Sequence, residues 1–252
     1  MIKVKNIIKS FGGVKAVDDI SFSTRQGSIT GIIGPNGAGK STLFASIAGA
    51  HRVDSGEIFL NEERITGKRP DQLYEKGLMR TFQIPRPFSN MSVLENVMVA
   101  GNNQTGEYFY RNWWSRQKIK EENNNLLERA HEILTFVTLG GMAHNAAGAL
   151  SGGQQKLLEL ARVLIADPRI ILLDEPAAGV NPALLEILIE KIIALNKQGI
   201  TFLIVEHNMD LIMGICETVL CMMQGRLLTK GTPQEVCGDP RVIDAYLGDA
   251  VL

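Results

Sequence analysis

The strongest constraint on the fold is one run, Gly34-Pro35-Asn36-Gly37-Ala38-Gly39-Lys40-Ser41-Thr42. It follows the β-branched apolar stretch Ser28 to Ile33 and precedes the helix-like stretch Thr42 to Ala48. The spacing is G-x-x-x-x-G-K-[ST], set between strand and helix as that pattern requires. Glycines let backbone N–H groups turn inward and approach phosphate oxygens without a side-chain clash. The helix N-terminus adds the positive end of a dipole. Lys40 offers a mobile charge to β- and γ-phosphates, and Ser41 offers a hydroxyl to Mg²⁺. A glycine-rich turn with an incidental lysine would not need strand, loop and helix in this order. Residues 34 to 42 are therefore the candidate phosphate-binding loop.

A second feature answers the first. Ile170-Ile171-Leu172-Leu173-Asp174-Glu175-Pro176 is an apolar strand ending in two acids. In open α/β sheets, ligands sit at the carboxyl ends of strands. Asp174 is the candidate Mg²⁺ ligand, directly or through water, and Glu175 the candidate group that polarises the attacking water. Adjacent strand residues point to opposite faces, so the two acids need not share a role. A solvated Asp-Glu turn is common by itself; joined to the loop, the functional reading is the stronger.

The rest of the chain predicts an α/β core with a mostly parallel sheet, an antiparallel β subdomain and an inserted helical lobe. Strands are expected at Lys3 to Ile7, Ser28 to Ile33, Glu57 to Leu60, Ile170 to Leu173, Phe202 to Val205 and Val219 to Met223. Gln224-Gly225 between two apolar runs suggests a hairpin. Leu184 to Leu195 reads as a well-covered helix, started by Asn181 as cap and Pro182 at the first helical position. Ser92 to Glu95 and Thr232 to Glu235 each read as a capping box. We expect one domain over 1–252, with the core at 1–83 and 157–252 and the lobe at 84–156. Within the lobe, Tyr108, Phe109, Tyr110, Trp113 and Trp114 form a small core or a partner surface, and a helical pattern runs from about Glu121 to Phe136.

Composition excludes several classes. The formal net charge is −1, so no whole-molecule field attracts nucleic acid, and no nucleic-acid partner is expected. Cys216, Cys221 and Cys237 have no metal spacing and fit idle thiols in a reducing compartment. No secretory signal is read at Met-Ile-Lys-Val-Lys-Asn. No apolar run approaches the ~18 residues of a spanning helix, so any membrane attachment is expected through a partner.

Leu150-Ser151-Gly152-Gly153-Gln154 precedes a helix-like run, and Ser151 with Gln154 forms a capping box. With this segment the chain resembles the ATP-binding-cassette (ABC) ATPases, whose signature it matches, over nearly its whole length. The resemblance implies ATP and Mg²⁺ as ligands. It gives Phe11 as the aromatic that stacks on adenine, Gln83 of Arg80-Thr81-Phe82-Gln83 as a sensor of Mg²⁺ and water, and His207 as the switch histidine at the γ-phosphate. It also implies head-to-tail pairing with a second ABC ATPase, so that Ser151, Gly153 and Gln154 of one subunit cover ATP on the other. Ile84 to Phe88 would lie near a membrane partner. The family's usual D-loop Asp is Asn181 here, which puts only a charged contact across that dimer in doubt.

Finer details resemble the G-type ATPase subunit of branched-chain amino acid importers: the stretch Ala177 to Pro182, the long insert after Met98, and the ending Ala245-Tyr246-Leu247-Gly248. That implies two permease subunits, an extracytoplasmic binding protein, and a place on the cytoplasmic face of the membrane. Urea or amide importers use similar ATPases. A soluble ABC protein acting on DNA or ribosomes lacks its usual second cassette or basic linker here. A kinase would give no reason for the signature or His207.

Overall fold

The computed structural model describes residues 1–81, 84–101 and 116–248, with backbone only at 116–118 and 247–248. The chain divides into two compact units. The first comprises Met1–Gln83, Arg169–Ala178 and Ile192–Leu252; the second comprises Ile84–Pro168 and Gly179–Lys191.

The first unit holds two sheets. One is antiparallel, with β1 (Ile2–Phe11), β2 (Val14–Ser23), β4 (Ser55–Leu60) and β5 (Glu63–Arg64) in the order β2-β1-β4-β5. The other contains β3 (Ile29–Ile33), β6 (Leu78–Arg80), β7 (Ile170–Asp174), β8 (Thr201–Val205), β9 (Thr218–Met223) and β10 (Arg226–Gly231), in the order β10-β9-β3-β8-β7-β6. Its pairs are parallel except the β9–β10 hairpin. Strands β3, β7 and β8 are buried at every residue, which is why they read as continuous apolar runs rather than alternating ones. Around the sheets lie α1 (Lys40–Ile47), α2 (Pro70–Tyr74), α7 (Met209–Ile215), α8 (Pro233–Cys237) and α9 (Pro240–Gly248). Ile2, Ile20, Leu43, Phe44, Leu172 and Val205 share one apolar cluster, which ties both sheets to α1.

Strand β2 is absent from the sequence reading, and the reason is a bulge. Asn6 and Asp19 face each other with φ of 46° and 59°, and register shifts follow Val4 and Ile7. Burial in β2 therefore steps from Val17 to Ile20 and then Phe22, which breaks the period-two signal. The expected Gln224-Gly225 hairpin is present, with both turn residues at positive φ.

In the second unit, α3 (Val93–Val99), α4 (Arg116–Phe136) and α5 (Gly152–Leu164) pack through Val93, Val97, Leu134, Leu157 and Leu158. The lobe expected at 84–156 falls inside this unit. Helix α5, starting at Gly152, carries the unit past 156 because a continuous amphipathic helix packs as one piece. Helix α6 (Pro182–Lys197) begins here, at the expected Pro182, with the Asn181 side chain accepting the Leu184 N–H at 2.9 Å. The aromatic segment around Trp113-Trp114 lies outside the described residues.

A buried asparagine escaped the sequence reading. Asn96, on α3, accepts the Phe88 N–H at 2.8 Å and donates to the carbonyls of Phe88 and Ser92. It pins the segment leading into α3 by substituting for a missing backbone ladder. Among the described residues, no helix is long and apolar enough to cross a membrane.

Candidate active site

Strand β3 ends at Ile33 and α1 begins at Lys40, so the glycine-rich loop spans the gap between the sheet and the helix. Gly34 sits at φ 146°, and a Cβ there would overlap the carbonyl oxygen of Met222. Only glycine lets the loop leave the sheet that close to β9. The Ala38 carbonyl accepts the Gly225 N–H at 3.1 Å, so the β9–β10 turn supports the loop from beneath. The Lys40 ammonium, on a buried side chain, donates to the Gly34 and Pro35 carbonyls at 2.7 and 2.8 Å.

A cleft of about 300 Å³ opens over this loop. It is lined by Asn36, Gly37, Ala38, Gly39, Lys40, Ser41 and Thr42, by Ala16 of β2, and by Glu175 and His207. Glu175 follows β7 with φ 47°, an uncommon left-handed conformation for a side-chain-bearing residue. Its N–H donates to the Val205 carbonyl at 2.9 Å, which fastens it beside the end of β8. The Glu175 carboxylate lies 3.2 Å from His207 Nε2. The structure thus brings acid, imidazole, lysine and loop amides to one concavity.

The histidine is held there by a neighbour that the sequence reading passed over. Glu206 is 2% exposed, and its carboxylate accepts the N–H groups of Ala177, His207 and Asn208 at 2.6, 2.8 and 3.0 Å. A charged residue directly after a fully buried strand was the available signal.

Asp174 is placed differently from Glu175. It is buried, and its carboxylate accepts from the Arg80 guanidinium at 2.8 Å while its N–H meets the Thr81 hydroxyl. Arg80 also lies over the Phe44 ring, 5.6 Å from its centroid. Asp174 is not among the residues lining the cleft, whereas Ser41 is. Gln83 lies outside the described residues. The Ser41 hydroxyl and the Asp174 carboxylate are hard oxygen donors of the kind Mg²⁺ takes, so the donor chemistry fits that ion. Phe11, at the end of β1, is half-exposed, meets His51 edge-to-face at 5.4 Å, and carries the Lys9 ammonium over its ring.

The remaining candidates belong to the second unit. Ser151 caps α5, with the Gln154 side chain accepting the Ser151 N–H at 2.9 Å. Gln154 is thereby committed to the helix start. A Cβ on Gly153 would press on Leu184, 2.6 Å from its Cδ1, so close packing on α6 also demands that glycine.

The family model for "ABC transporter" matches residues 17–178. The chain belongs to the ABC transporter family. A second model, "Branched-chain amino acid ATP-binding cassette transporter", matches residues 226–251 of the cassette. The cassette is 38% identical to the probable branched-chain amino acid transport ATP-binding protein LivG of Methanocaldococcus jannaschii, across 99% of this chain and 98% of that one. It is also 38% identical to the high-affinity branched-chain amino acid transport ATP-binding protein LivG of Salmonella typhimurium, with the same coverage. Among solved structures, the ADP conformation of an ATP-binding cassette of an ABC transporter superposes with a TM-score of 0.85 at 38% identity, covering 98% of both chains. The α/β cassette fold expected from the motifs is the fold observed.

Proposed function

We propose that this cassette is the ATP-hydrolysing subunit of an importer for branched-chain amino acids. The observation that carries the chemistry is the cleft in which Glu175 and His207 meet, 3.2 Å apart, over the loop bearing Lys40. Loop amides, the α1 N-terminus and Lys40 hold the β- and γ-phosphates. Glu175 orients the attacking water and accepts its proton as the water oxygen bonds to the γ-phosphorus and the bond to the ADP oxygen breaks. His207 holds the γ-phosphate side of the cleft, on a backbone fixed by Glu206. Ser41 and Asp174, with Gln83, are the residues that would hold Mg²⁺, whose charge neutralises phosphate oxygens when bound; Asp174 would then exchange part of its contact with Arg80.

The cargo is read from the relatives' names, which print branched-chain amino acid transport. Exposed Ile84, Phe88 and Val99 on the second unit give an apolar surface suited to a permease, which would hold the cassette peripherally at the membrane. Ser151, at a helix N-terminus, suits an anion presented by a second ATPase subunit. The chemistry is tested with Lys40→Ala, which removes a charge-assisted phosphate contact. Calorimetry should show MgATP affinity falling at least roughly tenfold, the size of one such contact; unchanged affinity refutes the assignment. The cargo is tested by purifying the cassette with its membrane partners into vesicles. Leucine, isoleucine or valine with the binding protein should stimulate hydrolysis, and stimulation by urea or amides alone would reassign the cargo.

A further inference from the structure

The C-terminal helix α9 reaches the loop directly. Asp239 starts this helix, and its carboxylate accepts from the Arg241 N–H and guanidinium at 2.9 and 2.6 Å; the Arg241 contact holds its carboxyl down at about 2. Val242, Ala245 and Tyr246 then stand at i, i+3 and i+4, on one helix face. Val242 and Ala245 are buried and Tyr246 is half-buried. The Tyr246 hydroxyl accepts the Gly34 N–H at 2.8 Å.

That donor occupies a particular place. The β3–β9 ladder ends with Ile33 opposite Cys221, so the Gly34 N–H leaves the sheet where the loop begins. Tyr246 receives it. On the other side of the same residue, the Gly34 carbonyl accepts from Lys40. A hydrogen-bonded path thus runs from α9 through Gly34 to the Lys40 ammonium.

We propose that Tyr246 is a positioning residue for nucleotide, anchoring the entry of the loop so that it is ordered before ATP or ADP arrives. The inference rests on the reading of residues 34–42 as the ATP-binding loop. Burial pushes the Tyr246 hydroxyl up to about 12, so it meets the loop as a neutral group at physiological pH. Both nucleotides use the same loop, so losing the anchor weakens both equally. Uniform loss of binding raises KM and leaves kcat in place.

The test is Tyr246→Phe in the full chain, which removes the hydroxyl and keeps the ring. MgATP and MgADP binding are measured by calorimetry, alongside steady-state hydrolysis and thermal unfolding. Both Kd values should rise about fivefold, as for one lost hydrogen bond, with KM following, and kcat and the melting midpoint unchanged. Wild-type Kd values in this variant overturn the proposal. So does a fall in kcat with KM intact, or weak binding that tracks a lowered midpoint. If Tyr246→Ala binds weakly while Tyr246→Phe binds like wild type, the ring and not the hydroxyl matters, and the proposal fails. Wild-type protein that does not bind MgATP overturns the loop reading together with this one.

Discussion

Between the buried strand end Val205 and the cleft residue His207 stands Glu206, whose carboxylate accepts three backbone N–H groups. Two of them belong to the segment after β8, and the third belongs to Ala177 after β7, so one side chain couples the two strand ends that supply Glu175 and His207 to the cleft. Glu206→Ala would orphan these donors in a place with little water. Chemical denaturation should show a loss of about 3 kcal/mol or more, since bonds to charged groups exceed neutral ones. A loss below ~1 kcal/mol would show that water replaces the carboxylate. Glu175 shows the same principle in its backbone: its φ of 47° is held by the N–H bond to Val205 rather than by any preference of glutamate. That acids sit at this strand end was legible in the sequence. Which acid faces His207 and which faces Arg80 was not, because partners 94 and 32 positions away decide it.

Helix starts were the most legible elements. Ser92 with Glu95, Ser151 with Gln154 and Thr232 with Glu235 all form the reciprocal bonds expected of a capping box. Such bonds span three residues, so no distant packing is needed to specify them. Ser92→Ala removes the acceptor of the Glu95 N–H and should lower stability by about 1 kcal/mol. A midpoint equal to wild type in denaturant would mean that the Ala146 bridge to Ser92 carries the helix start instead. Strands were less legible where they are short or bulged. Strand β6 has three residues, too few for any periodic signal, and is defined by pairing with β7 across a gap of 92 positions. Strand β2 was hidden by its bulge at Asp19.

At the scale of the whole molecule, packing in the first unit delays the ionisation of Cys216, Cys221 and Tyr246 to high pH. Burial pushes Cys216 up to about 12, Cys221 to about 11 and Tyr246 to about 12. Each has a folded pKa above its ordinary value, so the stabilisation is complete below about pH 9 and is lost as pH rises toward 11 to 12. The melting midpoint should therefore fall from pH 9 upward, and Cys216→Ala with Cys221→Ala should flatten part of that fall. An equal fall in the double variant would exclude the thiols as its source. The sequence by itself determined the local devices: the glycine-rich loop between strand and helix, the apolar strand ending in Asp174-Glu175, and the helix caps. Each is set by neighbours a few residues apart. Only the tertiary structure decided the partners of those devices. It put His207 against Glu175, Arg80 against Asp174, and Tyr246 against Gly34, because contacts between residues distant in sequence exist only after the strands of the sheet and the helices packed on it have taken their places.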